Sequence, residues 1–170
     1  MKLPFTPSDM TREDFVAHVG GIYEHSPWIA ETAFDHGLPA DASSLDVLCP
    51  VLREVVEDAD HDAKLDLLCA HPDLAGRLAV AGELTAESTS EQASAGLDQC
   101  SPAEFSELTS LNERYKSRFG FPFILAVRGR NRQEILENFR SRIDNSPETE
   151  FREALDQVHQ IARLRLEAMC

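Results

Sequence analysis

The chain has 170 residues, 42% of them hydrophobic, which is enough for one domain with a sizeable core. Its 30 acidic and 16 basic side chains give a net charge of −14, which argues against a nucleic-acid binder and against docking on anionic lipid. No run approaches the roughly 18 apolar residues of a transmembrane helix. The N-terminus also lacks the apolar stretch of a signal peptide. We therefore expect a cytoplasmic protein that forms one domain over residues 1–170.

The first half of the chain shows the start and stop signals of helices. Each predicted helix begins at a hydroxyl or acidic residue and continues with apolar residues at helical spacing, and most of them end near a glycine or proline. These signals predict helices near 8–20, 26–37, 44–56 and 60–70. The fourth helix should end before Pro72, because the residue that precedes a proline is disfavoured in the α region.

The second half continues in the same way. Helices are predicted from Ser88 and over 101–120, 131–143 and 146–166. The apolar run at 121–127 contains a proline and is too short for a helix, so we expect it to be extended. Seven or eight helices with one short extended segment make an all-α fold.

Four cysteines lie at positions 49, 69, 100 and 170, without the spacing of a zinc site. Without a signal peptide they are typical of reduced thiols. Cys69 lies in an apolar run and is expected in the core, whereas Cys170 is expected to be exposed.

His71 is the first candidate for chemistry. It follows a predicted helix end, where a protonated imidazole is favoured, and histidine suits proton transfer near neutral pH. A single histidine beside a proline is also often structural, and its position alone does not decide between the two roles.

Ser88, Glu91 and Gln92 form a second candidate, because the spacing i, i+3, i+4 places them on one helix face. A capping box would explain Ser88 and Glu91 equally well, although it would not explain Gln92.

Two arginines near the C-terminus need separate interpretations. Arg163 and Arg165 are about 200° apart around a helix, so at most one can face inward. Eight further basic residues fall between Arg114 and Arg142. They indicate either ordinary ion pairs on helix faces or a region that attracts a small anion.

Five blocks of the sequence, spread over nearly the whole chain, resemble the 2-oxo-4-hydroxy-4-carboxy-5-ureidoimidazoline (OHCU) decarboxylase family. They are YEHSPW at 23–28, HPDLAG at 71–76, LTAES with EQ at 84–92, RFGFPFI at 118–124 and IARLRL at 161–166. The resemblance implies an all-helical homodimer without metal or organic cofactor. It also implies the decarboxylation of OHCU, a small anion, to (S)-allantoin, the last step from urate. The C-terminus lacks a peroxisomal tripeptide, which agrees with a cytoplasmic location.

The resemblance also implies roles for individual residues. The family's proton donor falls on His71, and its partner carboxylate and arginine fall on Glu91 and Arg165. Substrate contacts fall on Pro72, Ser88, Thr89, Ser90, Glu91, Gln92, Phe123, Ile124, Leu125, Ala126 and Val127. Extended backbone over 123–127 would offer N–H and C=O groups that a helix consumes.

Two alternatives to this function stay open. One is a related ureide or hydantoin enzyme, such as an allantoin racemase. The other is a helical interaction module that has lost catalysis, although the presence of His71, Glu91 and Arg165 speaks against it.

Overall fold

A computed structural model describes residues 1–74 and 101–170. In these two ranges the chain forms a short 3-10 helix and seven α-helices. The helices are α1 (Arg12–Val19), α2 (Trp28–His36), α3 (Leu45–Asp58), α4 (His61–Cys69), α5 (Pro102–Phe119), α6 (Arg132–Arg142) and α7 (Pro147–Glu167). The only β-type pairing within the described ranges is an isolated bridge between Lys2 and Ser44. The all-α prediction is confirmed, and the helix predicted from Ser88 lies outside the described residues.

The ends of the later helices follow the local signals in the sequence. Ser101 and Asn131 each form a capping box, with Glu104 and Glu134 as their partners three residues on. Gly120 ends α5 in the left-handed conformation, at a φ of 81° that side chains with a Cβ rarely adopt. Each of the two N-caps, Ser101 and Asn131, stabilises its helix by about 1 kcal/mol.

The first compact unit comprises residues 1–70 and 159–170. Apolar side chains from its helices form the core, among them Phe15, Ile29, Leu45, Leu48 and Leu52, which are all at most 1% exposed. α3 supplies the largest share because its apolar residues recur every three or four positions.

The second compact unit comprises residues 71–158. An aromatic cluster fills the described part of its core. The Phe123 and Phe139 rings are stacked with their centroids 3.8 Å apart, and the Tyr115 ring packs edge-on against both. Residues 121–127 are neither helix nor strand, as the proline at 122 predicts. The single domain over residues 1–170 stays a prediction.

The expectation for Cys69 is wrong, because the side chain is exposed. Leu67 and Leu68 of α4 are buried. Successive helical residues are rotated by 100°, so the position after them faces outward. Cys170 is exposed, as expected.

Candidate active-site residues

His71 lies two residues beyond the end of α4 and is only 7% exposed. The backbone that follows it is anchored to α5. Asn112 Nδ2 donates to the Leu74 carbonyl at 2.7 Å, and Lys116 Nζ lies 3.3 Å from Asp73 Oδ2. His71 is therefore a buried imidazole on a segment that the second unit holds in place.

The segment 123–127 is buried throughout, with no residue more than 5% exposed. Three of its backbone groups are bonded to side chains. Arg142 Nη1 donates to the Ile124 carbonyl at 2.7 Å, Ala126 N donates to Gln157 Oε1 at 3.0 Å, and Arg130 Nε donates to the Ala126 carbonyl at 3.1 Å. The Ala126 N–H is thus already used by a side chain, whereas the Ile124 and Ala126 carbonyls each keep a second lone pair. Substrate contact by this segment stays a prediction.

A buried ion pair lies behind this segment. Arg142 and Glu150 are joined at 3.0 Å between Nη2 and Oε2, with side chains 6% and 0% exposed. The Tyr115 hydroxyl and Asn145 Nδ2 also donate to the Glu150 carboxylate. Burial, reinforced by the hydrogen bond to Glu150, raises the pKa of Tyr115 far above its usual value. The Arg142 guanidinium also lies over the Phe123 ring at 4.4 Å, so it contacts two consecutive residues of the segment.

Glu150→Gln is expected to lower the free energy of unfolding by about 3–5 kcal/mol, because it leaves the Arg142 charge buried without a counterion. Glu107→Gln is the matched control, since it breaks an Arg–Glu pair with Arg140 whose side chains are 45% and 37% exposed. That change should cost less than about 1 kcal/mol. Urea unfolding of both variants measures the difference. Equal losses would show that the buried pair does not stabilise the second unit.

Arg165 belongs to the first unit and is buried, whereas Arg163 is half-exposed. Arg163 pairs with Glu167 and Asp46 at the surface. Arg165 Nη2 donates to Glu24 Oε2 at 2.7 Å, and Nη1 donates to the Ile22 carbonyl at 3.3 Å. The prediction that at most one arginine faces inward is confirmed, and Arg165 is that arginine.

The residues predicted for the site fall in both units. His71, Pro72 and 123–127 belong to the second unit, and Arg165 belongs to the first. Glu91 and the stretch 88–92 lie outside the described residues. Sequence reasoning missed Glu24, although it lies in the YEHSPW block. It also missed Asn112, Arg142 and Glu150, because their partners are set by tertiary contacts.

Several of the basic residues between 114 and 142 are paired with acidic side chains or backbone carbonyls of the protein. Arg132 and Arg140 pair with Glu104 and Glu107, while Arg118 and Arg130 donate to backbone carbonyls. An open surface depression in this region has both signs of charge in its lining, which comprises Glu113, Arg114, Ser117, Arg118, Ile143 and Asp144. These contacts favour the ion-pair interpretation over an anion-attracting region.

Residues 1–74 and 101–170 contain neither a candidate metal site nor a membrane-spanning helix. No group of three or more His, Cys, Asp or Glu side chains in these ranges could hold a metal ion. No helix in them is long and apolar enough to cross a membrane.

Residues 8–167 match the model of the OHCU decarboxylase family. The 2-oxo-4-hydroxy-4-carboxy-5-ureidoimidazoline decarboxylase of Haloferax volcanii is 47% identical over 154 residues, which are 91% of this chain and 88% of that protein. The Mus musculus protein of the same description is 37% identical over 153 residues, 90% of this chain and 84% of its own length.

Two solved structures share the fold. An (S)-allantoin synthase has a TM-score of 0.75 and 32% identity over 96% of this chain. This chain spans 52% of that synthase, about half its length. An OHCU decarboxylase crystallised in the presence of (S)-allantoin has a TM-score of 0.67 and 24% identity, covering 83% of this chain and 89% of its own. At that identity the second structure supports the fold alone.

Proposed function

The chain belongs to the OHCU decarboxylase family, and from that premise we propose that it is a carboxy-lyase that converts OHCU to (S)-allantoin. The observation that carries the proposal is the family match over residues 8–167. The Haloferax volcanii relative supports it, because 47% identity extends over 91% of this chain. The reaction is the last step in the conversion of urate to allantoin.

The proposed reaction converts the OHCU anion and one proton to (S)-allantoin and CO2. The substrate carries a hydroxyl and a carboxylate on one ring carbon, beside a ring C=N bond to the carbon that holds the ureido group. The bond to the carboxylate breaks and CO2 leaves. The electron pair forms a C=C bond within the ring, while the C=N pair moves to nitrogen, which takes a proton. The ureido carbon then takes a proton, the hydroxyl loses one and becomes the ring carbonyl, and the net uptake is one proton.

Because the product is a single enantiomer, the enzyme must deliver the proton to one face of the ureido carbon. We assign this proton to His71, whose burial fits a single positioned acid that is shielded from bulk water. We assign to Glu91 the role of accepting the proton that the substrate hydroxyl loses. The imidazole is restored by a proton from solvent.

We assign to Arg165 the binding of the substrate carboxylate, because a guanidinium holds a carboxylate in a defined plane through two N–H donors. The remaining substrate contacts are assigned to Pro72, Ser88, Thr89, Ser90, Gln92 and 123–127. In the last segment, the Arg142 and Gln157 bonds described above hold the backbone in place. The electron sink is the substrate's own C=N bond, so the step as written draws on no cofactor. We further propose a homodimer, as the resemblance implies, and a cytoplasmic location.

The proposal is tested with substrate made in place. Urate is treated with urate oxidase and hydroxyisourate hydrolase, and the decay of OHCU is followed by circular dichroism. The protein should accelerate the decay and deliver one allantoin enantiomer. A racemase would instead convert (S)-allantoin added alone, and a module without catalysis would leave the decay unchanged. Either of these results overturns the proposal.

Arg165→Lys should impair turnover or raise KM by about tenfold or more, because lysine keeps the charge but lacks the planar fork. Arg163→Lys is the matched control. It lies two residues away on the same helix, and its exposed ion pairs contribute little. Steady-state kinetics of the two variants gives the comparison. Equal damage, or damage from Arg163 alone, would remove Arg165 from the carboxylate site.

A further inference from the structure

We infer that Glu24 is a positioning residue for the reaction, which holds Arg165 in place and offsets part of its charge. The inference rests on the proposed function, in which Arg165 binds the substrate carboxylate. It adds a fourth ionisable group to His71, Glu91 and Arg165, and it assigns that group a defined effect on substrate affinity.

Glu24 is fully buried, and its Oε2 accepts from Arg165 Nη2 at 2.7 Å. The residues before it are tied to the same helix α7. Ile22 accepts from Arg165 Nη1 at 3.3 Å, and the Tyr23 hydroxyl is hydrogen-bonded to His159 Nδ1 at 2.9 Å. Three consecutive residues, 22–24, therefore contact α7. The Glu24 carboxylate is fixed from its backbone as well as through its ion pair.

Burial makes the pair electrostatically strong. Both side chains are at most 3% exposed, so bulk water screens their interaction far less than it screens Arg163 and Asp46 at the surface. A guanidinium can donate to several acceptors at once. An anion that binds Arg165 therefore meets a cation whose charge Glu24 has already partly offset.

Such an offset suits a decarboxylation. In the ground state the negative charge is on the substrate carboxylate, and in the transition state it moves into the ring as neutral CO2 departs. A cation of full strength at the carboxylate would stabilise the ground state more than the transition state, so it would tighten binding and slow turnover. Glu24 reduces that penalty while keeping the geometry of the guanidinium fork.

The experiment is Glu24→Gln, in which the amide oxygen can still accept from Arg165 but the negative charge is gone. We expect both KM and kcat to fall, each by roughly three- to tenfold, because the carboxylate is bound more tightly in the ground state. A purely structural Glu24 would give a lower melting temperature with KM unchanged or raised. A KM that does not fall therefore overturns the inference.

Asp46→Asn is the matched control, because it neutralises the carboxylate paired with Arg163 at the surface. Both kinetic constants should stay at the parent values. Should Glu24→Gln fail to fold, Glu24→Asp decides the question. It retracts the charge by one methylene, so KM should fall by a smaller factor, and an unchanged or raised KM overturns the inference.

Arg165→Lys distinguishes a failure of the proposed role of Arg165 from a failure of the inference about Glu24. Parent-like kinetics in Arg165→Lys would contradict the carboxylate role of Arg165, and with it the proposed function of that residue. Impaired kinetics in Arg165→Lys together with an unchanged KM in Glu24→Gln would contradict the inference about Glu24 alone.

Discussion

His71→Asn is expected to lower turnover by ~10²-fold or more, because asparagine has no ionisable proton to deliver to the ureido carbon. The substitution keeps a polar side chain of similar reach at a site that is only 7% exposed. The backbone contact from Asn112 to Leu74 does not involve the imidazole. The far-ultraviolet circular dichroism and the melting temperature should therefore stay close to those of the parent.

His61→Asn is the matched control, since the His61 side chain is 71% exposed at the start of α4. Its turnover should equal that of the parent. The enantiomeric purity of the allantoin is a second readout. If His71 delivers the proton, product formed by the weakened variant should approach the racemate, because protonation by solvent has no preferred face. Turnover within a few-fold of the parent would exclude His71 as the proton donor.

Local chemistry explains why most of the helices could be predicted. Ser101 and Asn131 each precede a glutamate by three residues, and both form the capping boxes that this spacing indicates. The proline at 122 likewise predicts the non-helical segment that follows α5. Such features involve neighbours in sequence, so a pattern a few residues long contains the necessary information.

Pairings between distant residues could not be predicted in this way. Glu24 and Arg165 are 141 positions apart, and Asn112 reaches Leu74 across 38. No periodicity connects such residues, because their contact depends on how whole helices pack. Sequence reasoning could establish only that Arg163 and Arg165 point in different directions, since this follows from helical geometry alone.

The backbone groups of 123–127 show the same limit for a candidate site. That these residues are not helical followed from the proline at 122 and the short length of the run, but their hydrogen-bond partners did not. Arg142 and Gln157 come from two different helices, and both bond to this segment. Ala126, which the resemblance assigns to substrate contact, thus has its N–H already bonded to the Gln157 side chain.

Glu91→Gln is expected nearly to abolish turnover while leaving the fold intact. Glutamine keeps the volume and the hydrogen-bonding reach of glutamate but cannot accept the proton that the substrate hydroxyl must lose. If Glu91 only caps a helix, the opposite result is expected. Glutamine also serves at the third position of a capping box, so a Glu91 that only caps a helix would be replaced almost silently. Turnover measured beside the melting temperature distinguishes the two roles, with Glu87→Gln, four residues earlier in the sequence, as the carboxylate control. Parent-like activity in Glu91→Gln would assign Glu91 to capping, and the hydroxyl proton would then require another acceptor.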